Sequence, residues 1–313
     1  YSPVCVPVKP SSANAIKLGA DGVNVLNSNA PVTITTNRFT FDAQPTHINS
    51  SGELTIQPFG DDFDNAIAIT NLNTTDISNL TIGKSGTSAD GTDDITTTLS
   101  GAIAANGPIS VYSGDLAINA ATTATNSDIN LYASGAVTQS AALTANRLSL
   151  NGTGTFTLQN TVNNVGTIAG GDATTRLGSV AYRDANALEI GSINTDGIFS
   201  SGTILIETET ENLTLSENIN TTSNSDDAII LNAGKTAAAG TATGGDIIVS
   251  GTPTLTYGSG GRAKLFSGSA SNSTGLTTLV GGDTNARGGV DETTVTFNPV
   301  LTDDNAYALY RAV

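Results

Sequence analysis

Two short acidic runs contain the residues whose types and spacing could bind a metal ion. They are GDDFDN, with Asp61, Asp62 and Asp64, and DGTDD, with Asp90, Asp93 and Asp94. Calcium takes six to eight oxygen ligands, and each run supplies several carboxylates. Neither run matches a twelve-residue EF-hand loop or a glycine-rich calcium-binding repeat. Because Asp and Asn at turns also bond to their own backbone, calcium binding and simple turn formation both stay open, and we assign no metal ligand.

A second set of residues has the types that cleave polysaccharides. Hydrolysis of a glycosidic bond needs two placed carboxylates, and β-elimination needs a base beside a neutralising cation. The candidates are Asp172, Asp184 and Glu189, with Arg176 and Arg183 close by in the sequence. On neighbouring turns of a stacked fold, the same residues form an ordinary solvated ion-pair patch. We therefore expect no catalytic residue, and a carbohydrate-active enzyme, a polysaccharide lyase or glycoside hydrolase, is kept as the alternative function.

The chain has one histidine and one cysteine. His47 follows a turn proline with no nucleophile motif nearby, so we interpret it as a surface residue. Cys5 has no partner for an internal disulfide or a cysteine metal site. It could pair with another chain, carry a lipid or remain a free thiol, and we favour the free thiol. No cofactor is expected.

The elements that must position these residues are short β-rich strings that repeat about every twenty residues. Each string alternates apolar and polar side chains, which is typical of a strand with one buried face. The spacing is set by apolar markers at Ile109, Ile129, Leu148, Ile168 and Leu188. A fixed period of this size predicts stacked coils, each of which buries its apolar face only against its neighbours.

Composition excludes several classes of protein. Only 13% of the 313 residues are charged and the net charge is −16. The regularly placed β-branched residues argue against disorder. No basic stripe is present to bind phosphates, so nucleic-acid binding is not expected. No run approaches 18 apolar residues, so no membrane-spanning segment is expected.

Five segments resemble the repeat region of filamentous haemagglutinin-like bacterial exoproteins. They lie within residues 50–270 and are SGELTIQPFGDDFDNAI, LTIGKSG, GPISVYSGDLAIN, GAVTQSAALTANRLSLNGTGTFTLQNTVNNVGTIAGG and YRDANALEIGSINTDGIFSSGTILIETE. The resemblance implies a right-handed parallel β-helix and a secreted, extracellular or cell-surface setting in a Gram-negative-type bacterium. It identifies no ligand. The secretion module of that family, with its NPNG-type motif, is missing, and the chain begins at Tyr1, so we expect a processed product or a fragment.

We therefore predict an all-β protein, a right-handed parallel β-helix (β-solenoid) of about fourteen coils. Residues 1–15, with three prolines, are predicted as an extended tail, and residues 16–291 as the β-helix. A low-complexity insertion near 233–245 is predicted to leave the stack as a loop. Residues 292–313, which contain Phe297, Tyr307 and Tyr310, are predicted as a cap or a contact segment.

The expected function is passive and structural: an adhesin stalk, or a subunit of an extracellular filament assembled head to tail. A parallel stack has unpaired strand edges at its ends, which can pair with another chain. The expected partners are other copies of the chain, end to end, or glycans or proteins on host or neighbouring cells. No enzymatic activity is expected.

Overall fold

The structure is a computed structural model. It describes the backbone of residues 4–7, 16–18, 26–28, 30–41, 46–70, 72–73, 77–85 and 95–312, and the side chains of residues 30–38, 51–70, 72, 77–85 and 95–312. The chain divides into two compact units, Tyr1–Thr155 and Phe156–Val313. Both consist of parallel strands stacked turn upon turn. The described residues form a β-solenoid of about 12 turns with almost no helix, which confirms the predicted fold class.

The first unit contains eighteen described strands, most of three to five residues. They are β1 (Val4–Pro7), β2 (Ile16–Leu18), β3 (Leu26–Ser28), β4 (Val32–Thr35), β5 (Phe39–Phe41), β6 (Thr46–Ser50), β7 (Glu53–Gln57), β8 (Ile67–Ile69), β9 (Leu72–Asn73), β10 (Asn79–Ile82), β11 (Thr97–Leu99), β12 (Ile103–Ala105), β13 (Ile109–Ser113), β14 (Leu116–Ile118), β15 (Thr122–Ala124), β16 (Asp128–Ala133), β17 (Ala136–Gln139) and β18 (Leu143–Asn151).

These strands form parallel ladders in which each turn pairs with the next. Sheet 1 runs β1-β4-β7-β10-β13-β16-β18, and sheet 2 runs β8-β11-β14-β17. Shorter ladders are β2-β5, β3-β6-β9 and β12-β15-β18. The nine-residue β18 pairs with both β16 and β15, so it belongs to two ladders.

The second unit contains the remaining strands and one helical turn. They are β19 (Thr155–Leu158), β20 (Asn164–Gly170), β21 (Val180–Asp184), β22 (Leu188–Ile190), β23 (Ile198–Ser200), β24 (Ile204–Thr208), β25 (Leu213–Leu215), β26 (Ile219–Thr221), β27 (Ile229–Ala233), β28 (Ile247–Val249), β29 (Leu255–Thr256), β30 (Ala263–Ser267), α1 (Leu276–Leu279), a 3-10 turn (Asp283–Asn285), β31 (Ala286–Gly288) and β32 (Ala306–Tyr310).

The last strand of the second unit lies inside its sheet, not at the edge. Sheet 3 runs β19-β21-β24-β27-β30-β32-β31, so β32 lies between β30 and the earlier strand β31. Sheet 4 runs β20-β22-β25-β28, and a short ladder runs β23-β26-β29. The segment before α1 covers β28, since Val249 N donates to Thr274 O at 2.9 Å.

The core of the first unit consists of apolar columns that continue from turn to turn. In sheet 1, Ile109 pairs with Ile129, and Ile129 pairs with Leu148. All three side chains are fully buried. This part of the predicted column is confirmed. Each such burial contributes roughly 1.5–3 kcal/mol to stability, so the stack is stabilised mainly by contacts between neighbouring turns.

The register beyond Ile168 differs from the prediction. Ile168 pairs with Ile190, 22 residues later, and Leu188 pairs with Leu213 instead. The marker at Leu188 was therefore wrong by two residues. The interval between Ile168 and Ile190 contains a turn in which Asp172 Oδ1 accepts the backbone N–H groups of Thr174 and Thr175. A shift of two keeps the same face inward, so alternation alone could not reveal it.

The number of turns is also lower than the predicted fourteen. Turns outside the regular middle are longer than twenty residues: Leu80 pairs with Ile109, 29 residues later, and Ile229 pairs with Ala263, 34 residues later. One turn also contributes strands to different sheets, as β24 and β25 do. Some strings counted as separate coils are therefore parts of one turn.

The insertion at 233–245 remains attached to the body of the second unit. Gly234 N and Lys235 N both donate to Thr208 O on the preceding turn, at 3.1 and 2.8 Å. Gly240 N donates to Arg311 O at 2.7 Å. Hydrogen bonds at the start of the insertion and near its middle therefore hold this glycine-rich segment against the rest of the unit.

The C-terminal segment contributes its tyrosines to the unit's own core. Tyr307 and Tyr310 are 2% and 4% exposed. Tyr307 packs with Phe266, Val290 and Leu309, and Phe297 is partly buried against the same cluster. These tyrosines are not available as an exposed apolar contact surface, which favours the cap over the contact segment.

Candidate functional site

The first acidic run is engaged with the neighbouring turn. Asp64 Oδ2 lies 3.3 Å from Arg38 Nε, and Asp64 Oδ1 accepts from Asn37 Nδ2 at 3.1 Å. Both carboxylate oxygens of Asp64 therefore have protein partners. Asp61 and Asp62 also take part in interactions in the structure. Within the described ranges no group of three His, Cys, Asp or Glu side chains could hold a metal ion. Asp90, Asp93 and Asp94 lie outside the described residues.

The five residues considered for polysaccharide cleavage each bind different partners. Arg176 Nη1 donates to Ser200 O at 3.1 Å and to Asn220 Oδ1 at 2.9 Å, and its guanidinium lies 5.6 Å from the Phe199 ring centre. Glu189 accepts from Ser216 Oγ at 2.6 Å.

The other three candidates are equally separate. Arg183 Nε lies 2.5 Å from Glu209 Oε1. Asp172 caps its own turn, as described above, and Asp184 is buried in sheet 3. The structure does not bring the five into one shared set of contacts, and it provides no acid–base pair among them.

Asp184 is a fully buried carboxylate that joins its own segment to β20 on the neighbouring turn. Its Oδ2 accepts from Tyr182 OH at 2.6 Å and from Val165 N at 2.8 Å, and its Oδ1 accepts from Asn186 N at 2.8 Å. Burial raises the pKa of Asp184, and these hydrogen bonds oppose the rise. Burial likewise raises the pKa of Tyr182 well above its usual value. The pair is inside the fold, where no substrate can reach it, so it acts as a structural hydrogen-bond centre.

Arg311, which the sequence reasoning missed, is the largest fully buried side chain. Its Nη1 donates to Ala233 O and its Nη2 to Gly245 O, both at 2.6 Å. These two carbonyls mark the two ends of the insertion. Burial lowers the pKa of Arg311, and the carboxylates of Asp246, Glu292 and Asp291 oppose this. The only signal in the sequence is a lone arginine among apolar residues in ALYRAV.

A first cleft lies on the outer face of sheet 3, beside residues 292–297; we call it the overhang cleft. Its volume is about 230 Å³. It contains two ion pairs, Lys235 Nζ to Glu207 Oε1 at 3.0 Å and Lys264 Nζ to Asp227 Oδ1 at 2.5 Å. Since both ammonium groups are already paired, the cleft has no uncompensated cation for an anionic substrate.

A second cleft, of about 490 Å³, lies beside β29; we call it the Tyr257 cleft. Its walls come from residues 253–257, from the end of α1 and the turn after it, and from residues 304–306. Tyr257 is half-buried in this cleft, and burial, with the nearby Asp304 carboxylate as a second cause, raises its pKa. The three wall segments are separate in the sequence, at 253–257, 279–285 and 304–306, which is why no sequence motif indicates the site.

The outer face of sheet 1 carries a pair of stacked tyrosines. The rings of Tyr112 and Tyr132 are parallel within 12°, with centres 4.3 Å apart. Burial, followed by the neighbouring Tyr132, raises the pKa of Tyr112 to about 12. On the same face Arg147 forms two hydrogen bonds with Asp128, at 2.8 and 2.6 Å. These are contacts between register partners on adjacent turns, which is the usual unit of sheet stabilisation.

Two single residues considered from the sequence have a described backbone only. His47 lies in β6 and Cys5 in β1, and their side chains lie outside the described residues. Cys5 is the register partner of Thr33. In the part of the chain that the structure describes, no helix is long and apolar enough to cross a membrane.

Comparison with known proteins gives no relative. No protein-family model, no curated protein and no solved structure matches the chain.

Proposed function

We propose that this chain is a passive structural element of the bacterial cell surface or extracellular matrix, an adhesin stalk or a subunit of an extracellular filament. The observation that carries the proposal is how the charged side chains are used. In the described residues, ion pairs join neighbouring turns, as Asp128–Arg147 and Arg183–Glu209 do. An enzyme that cleaves glycans needs carboxylates gathered on one groove. Here Asp172, Asp184 and Glu189 bind separate partners. In the overhang cleft, Glu207 and Asp227 are paired with lysines.

The outer face of sheet 1 also supports a structural role. A single outward column consists of small hydroxyl and amide residues over five turns, namely Thr33, Thr55, Thr81, Ser110 and Asn130. These side chains are partly exposed and suit an extended surface in contact with water. An exposed apolar patch, which would mark a constitutive partner, is not part of this column.

The first test separates the structural role from the enzymatic alternative. The purified chain is incubated with neutral and acidic polysaccharides, and new reducing ends and unsaturated uronates are measured. We expect no turnover, and electron micrographs of the concentrated protein are expected to contain linear end-to-end assemblies. Turnover that is lost on changing a single carboxylate contradicts the proposal.

The second test concerns head-to-tail assembly. In the described backbone β1 pairs with β4, and we propose that its other edge pairs with another chain. Deleting residues 1–10 is expected to abolish filaments while the β-rich circular dichroism is unchanged. A deletion of similar length in the insertion, residues 236–243, serves as the control and should leave filaments intact. Filaments that persist without residues 1–10 rule out this assembly, and the stalk then remains as the proposed role.

A further inference from the structure

The Tyr257 cleft combines an apolar wall with a small number of polar groups, which is the usual make-up of a small-ligand site. Pro253, Leu255, Leu279 and Val280 supply the apolar side chains. The Tyr257 ring adds an aromatic surface. The cleft has a volume of about 490 Å³, which falls within the range of sites that hold small organic molecules.

Three polar residues of the cleft, Asn285, Asn305 and Thr254, each donate hydrogen bonds to acceptors of the protein. Asn285 Nδ2 donates to Val280 O at 2.7 Å, and Asn305 Nδ2 donates to Thr302 Oγ1 at 3.0 Å and to Asp303 O at 2.9 Å. Thr254 donates both its N–H and its hydroxyl to Asn218 Oδ1, each at 2.8 Å. The amide oxygens of Asn285 and Asn305 remain as acceptors, so the cleft calls for a ligand that is rich in hydrogen-bond donors.

Asp304 adds a further acceptor whose position is fixed. Its backbone adopts φ 57°, a left-handed conformation that is uncommon outside glycine. Two hydrogen bonds hold it there: Asp304 N donates to Gly261 O at 2.8 Å, and Gly260 N donates to Asp304 Oδ1 at 2.7 Å. The second oxygen, Oδ2, can accept from a ligand hydroxyl with the strength of a charge-assisted hydrogen bond.

Charge narrows the class of ligand. Asp304 is the only charged residue among those that line the cleft. The whole chain carries a net charge of −16. Phosphates, sulfates and uronic acids are therefore repelled. A donor-rich, uncharged molecule with one apolar face meets all of these conditions, and a sugar ring has that character.

We propose that the Tyr257 cleft binds one ring of a neutral sugar. The C–H face of the ring lies on Tyr257 and on the apolar wall, and its hydroxyls donate to Asp304 Oδ2 and to the amide oxygens of Asn285 and Asn305. This inference goes beyond the proposed structural function, because a stalk or filament subunit needs no ligand. If it is correct, the stack carries its own glycan-binding site.

The test uses methyl glycosides of glucose, galactose and mannose, with glucuronic acid and glucosamine as charged comparisons. Since the chain has seven tyrosines and no tryptophan, its intrinsic fluorescence comes mainly from tyrosine. The part that reports on Tyr257 is the ligand-induced change that is lost in Tyr257→Phe. Ligand saturation-transfer NMR gives an independent readout. We expect at least one neutral glycoside to bind with a dissociation constant on the order of 1 mM, and glucuronic acid to bind at least tenfold more weakly.

Sugar binding by single-residue variants shows whether the ligand occupies this cleft. Tyr257→Ala is expected to weaken binding at least tenfold, whereas Tyr257→Phe retains it. Asp304→Asn, which tolerates the left-handed backbone, is expected to weaken binding of the neutral glycoside and to reduce the discrimination against glucuronic acid. Tyr132→Ala, on the outer face of sheet 1, is the matched control and should bind as the parent does.

Three results overturn the inference. They are no saturable binding of any neutral glycoside at roughly 100 mM, equal binding by Tyr257→Ala, and binding of glucosamine alone, which indicates an ammonium site. None of these results bears on the tests for filament assembly or polysaccharide cleavage. A failure of the sugar-binding proposal can therefore be told apart from a failure of the proposed structural role.

Discussion

Asn232 and Asn163 are both fully buried, but only Asn163 forms side-chain hydrogen bonds with described protein atoms. Asn163 Nδ2 donates to Arg183 O at 2.9 Å and to Leu158 O at 3.3 Å. Asn232, in contrast, finds no hydrogen-bond partner for either amide atom among the described protein atoms. Its register partners are Glu207 and Phe266. An unpaired buried amide costs about 1–3 kcal/mol.

We therefore expect Asn232→Leu to raise the free energy of unfolding by about 1–3 kcal/mol, because it removes that cost. Asn163→Leu, the matched control, is expected to lower it by a similar amount, since two backbone carbonyls lose their donor. Urea denaturation followed by circular dichroism measures both. A loss of stability in Asn232→Leu contradicts the argument.

Asp184 and Asp291 should give opposite pH dependences of stability. The raised pKa of Asp184 means that its contribution is full below the unfolded pKa of about 3.9 and is lost as pH rises through the folded pKa. Asp291 has its pKa lowered by hydrogen bonds, first from Thr293 and then from Ala239 N. Its contribution is full above the unfolded pKa and is lost as pH falls through the folded pKa.

The measurement compares urea midpoints of the parent with Asp184→Asn and Asp291→Asn across pH 3 to 8. The difference in urea midpoint between the parent and Asp184→Asn should shrink as pH rises from about 4. The difference between the parent and Asp291→Asn should shrink as pH falls below about 4. If the midpoint differences of both variants change with pH in the same direction, burial does not control the pKa of Asp184.

At the scale of elements, the insertion depends on a residue 66 positions away from its end. Arg311 holds the carbonyls of Ala233 and Gly245, and Lys235 lies between them. We expect Arg311→Met to release the insertion and to accelerate tryptic cleavage after Lys235. Arg147→Met, which removes an exposed arginine from the first unit, is the control and should leave that cleavage rate unchanged. An unchanged rate in Arg311→Met means that the insertion is held by its other contacts.

The strands could be predicted from the sequence, but their register and the clefts between them could not. Alternation predicted strands such as β13 and β16 and their buried faces, because a strand's side-chain period is local. It could not place Leu188, because a shift of two residues keeps the same face inward and leaves the alternation unchanged. The two clefts were missed as well, since their walls meet only through pairing between distant strands. Tyr307 and Tyr310 were predicted as part of a cap or contact segment. Their burial depends on the pairing of β32 with β30 and on the cluster around Phe266, which composition does not reveal.

At the scale of the whole molecule, solubility depends on a large net negative charge. The formal charge is −16 and the isoelectric point is about 4.1. Self-repulsion between copies therefore disappears close to pH 4. We expect light scattering by the purified chain to rise steeply as pH falls from 7 to about 4, and to fall again when the pH is returned. Scattering that is independent of pH contradicts a role for charge in keeping copies apart.

The position of β32 between β30 and β31 implies that the sheet is not completed in the order in which the chain is made. A chain emerging from its N-terminus can lay down β27 and then β30, but the place beside β30 stays open until residues 306–310 arrive. A product that stops short of residue 306 would therefore leave five backbone positions of β30 open to any extended peptide. Closure of β30 therefore waits for a strand that is made after β31, although β31 lies farther out in the sheet.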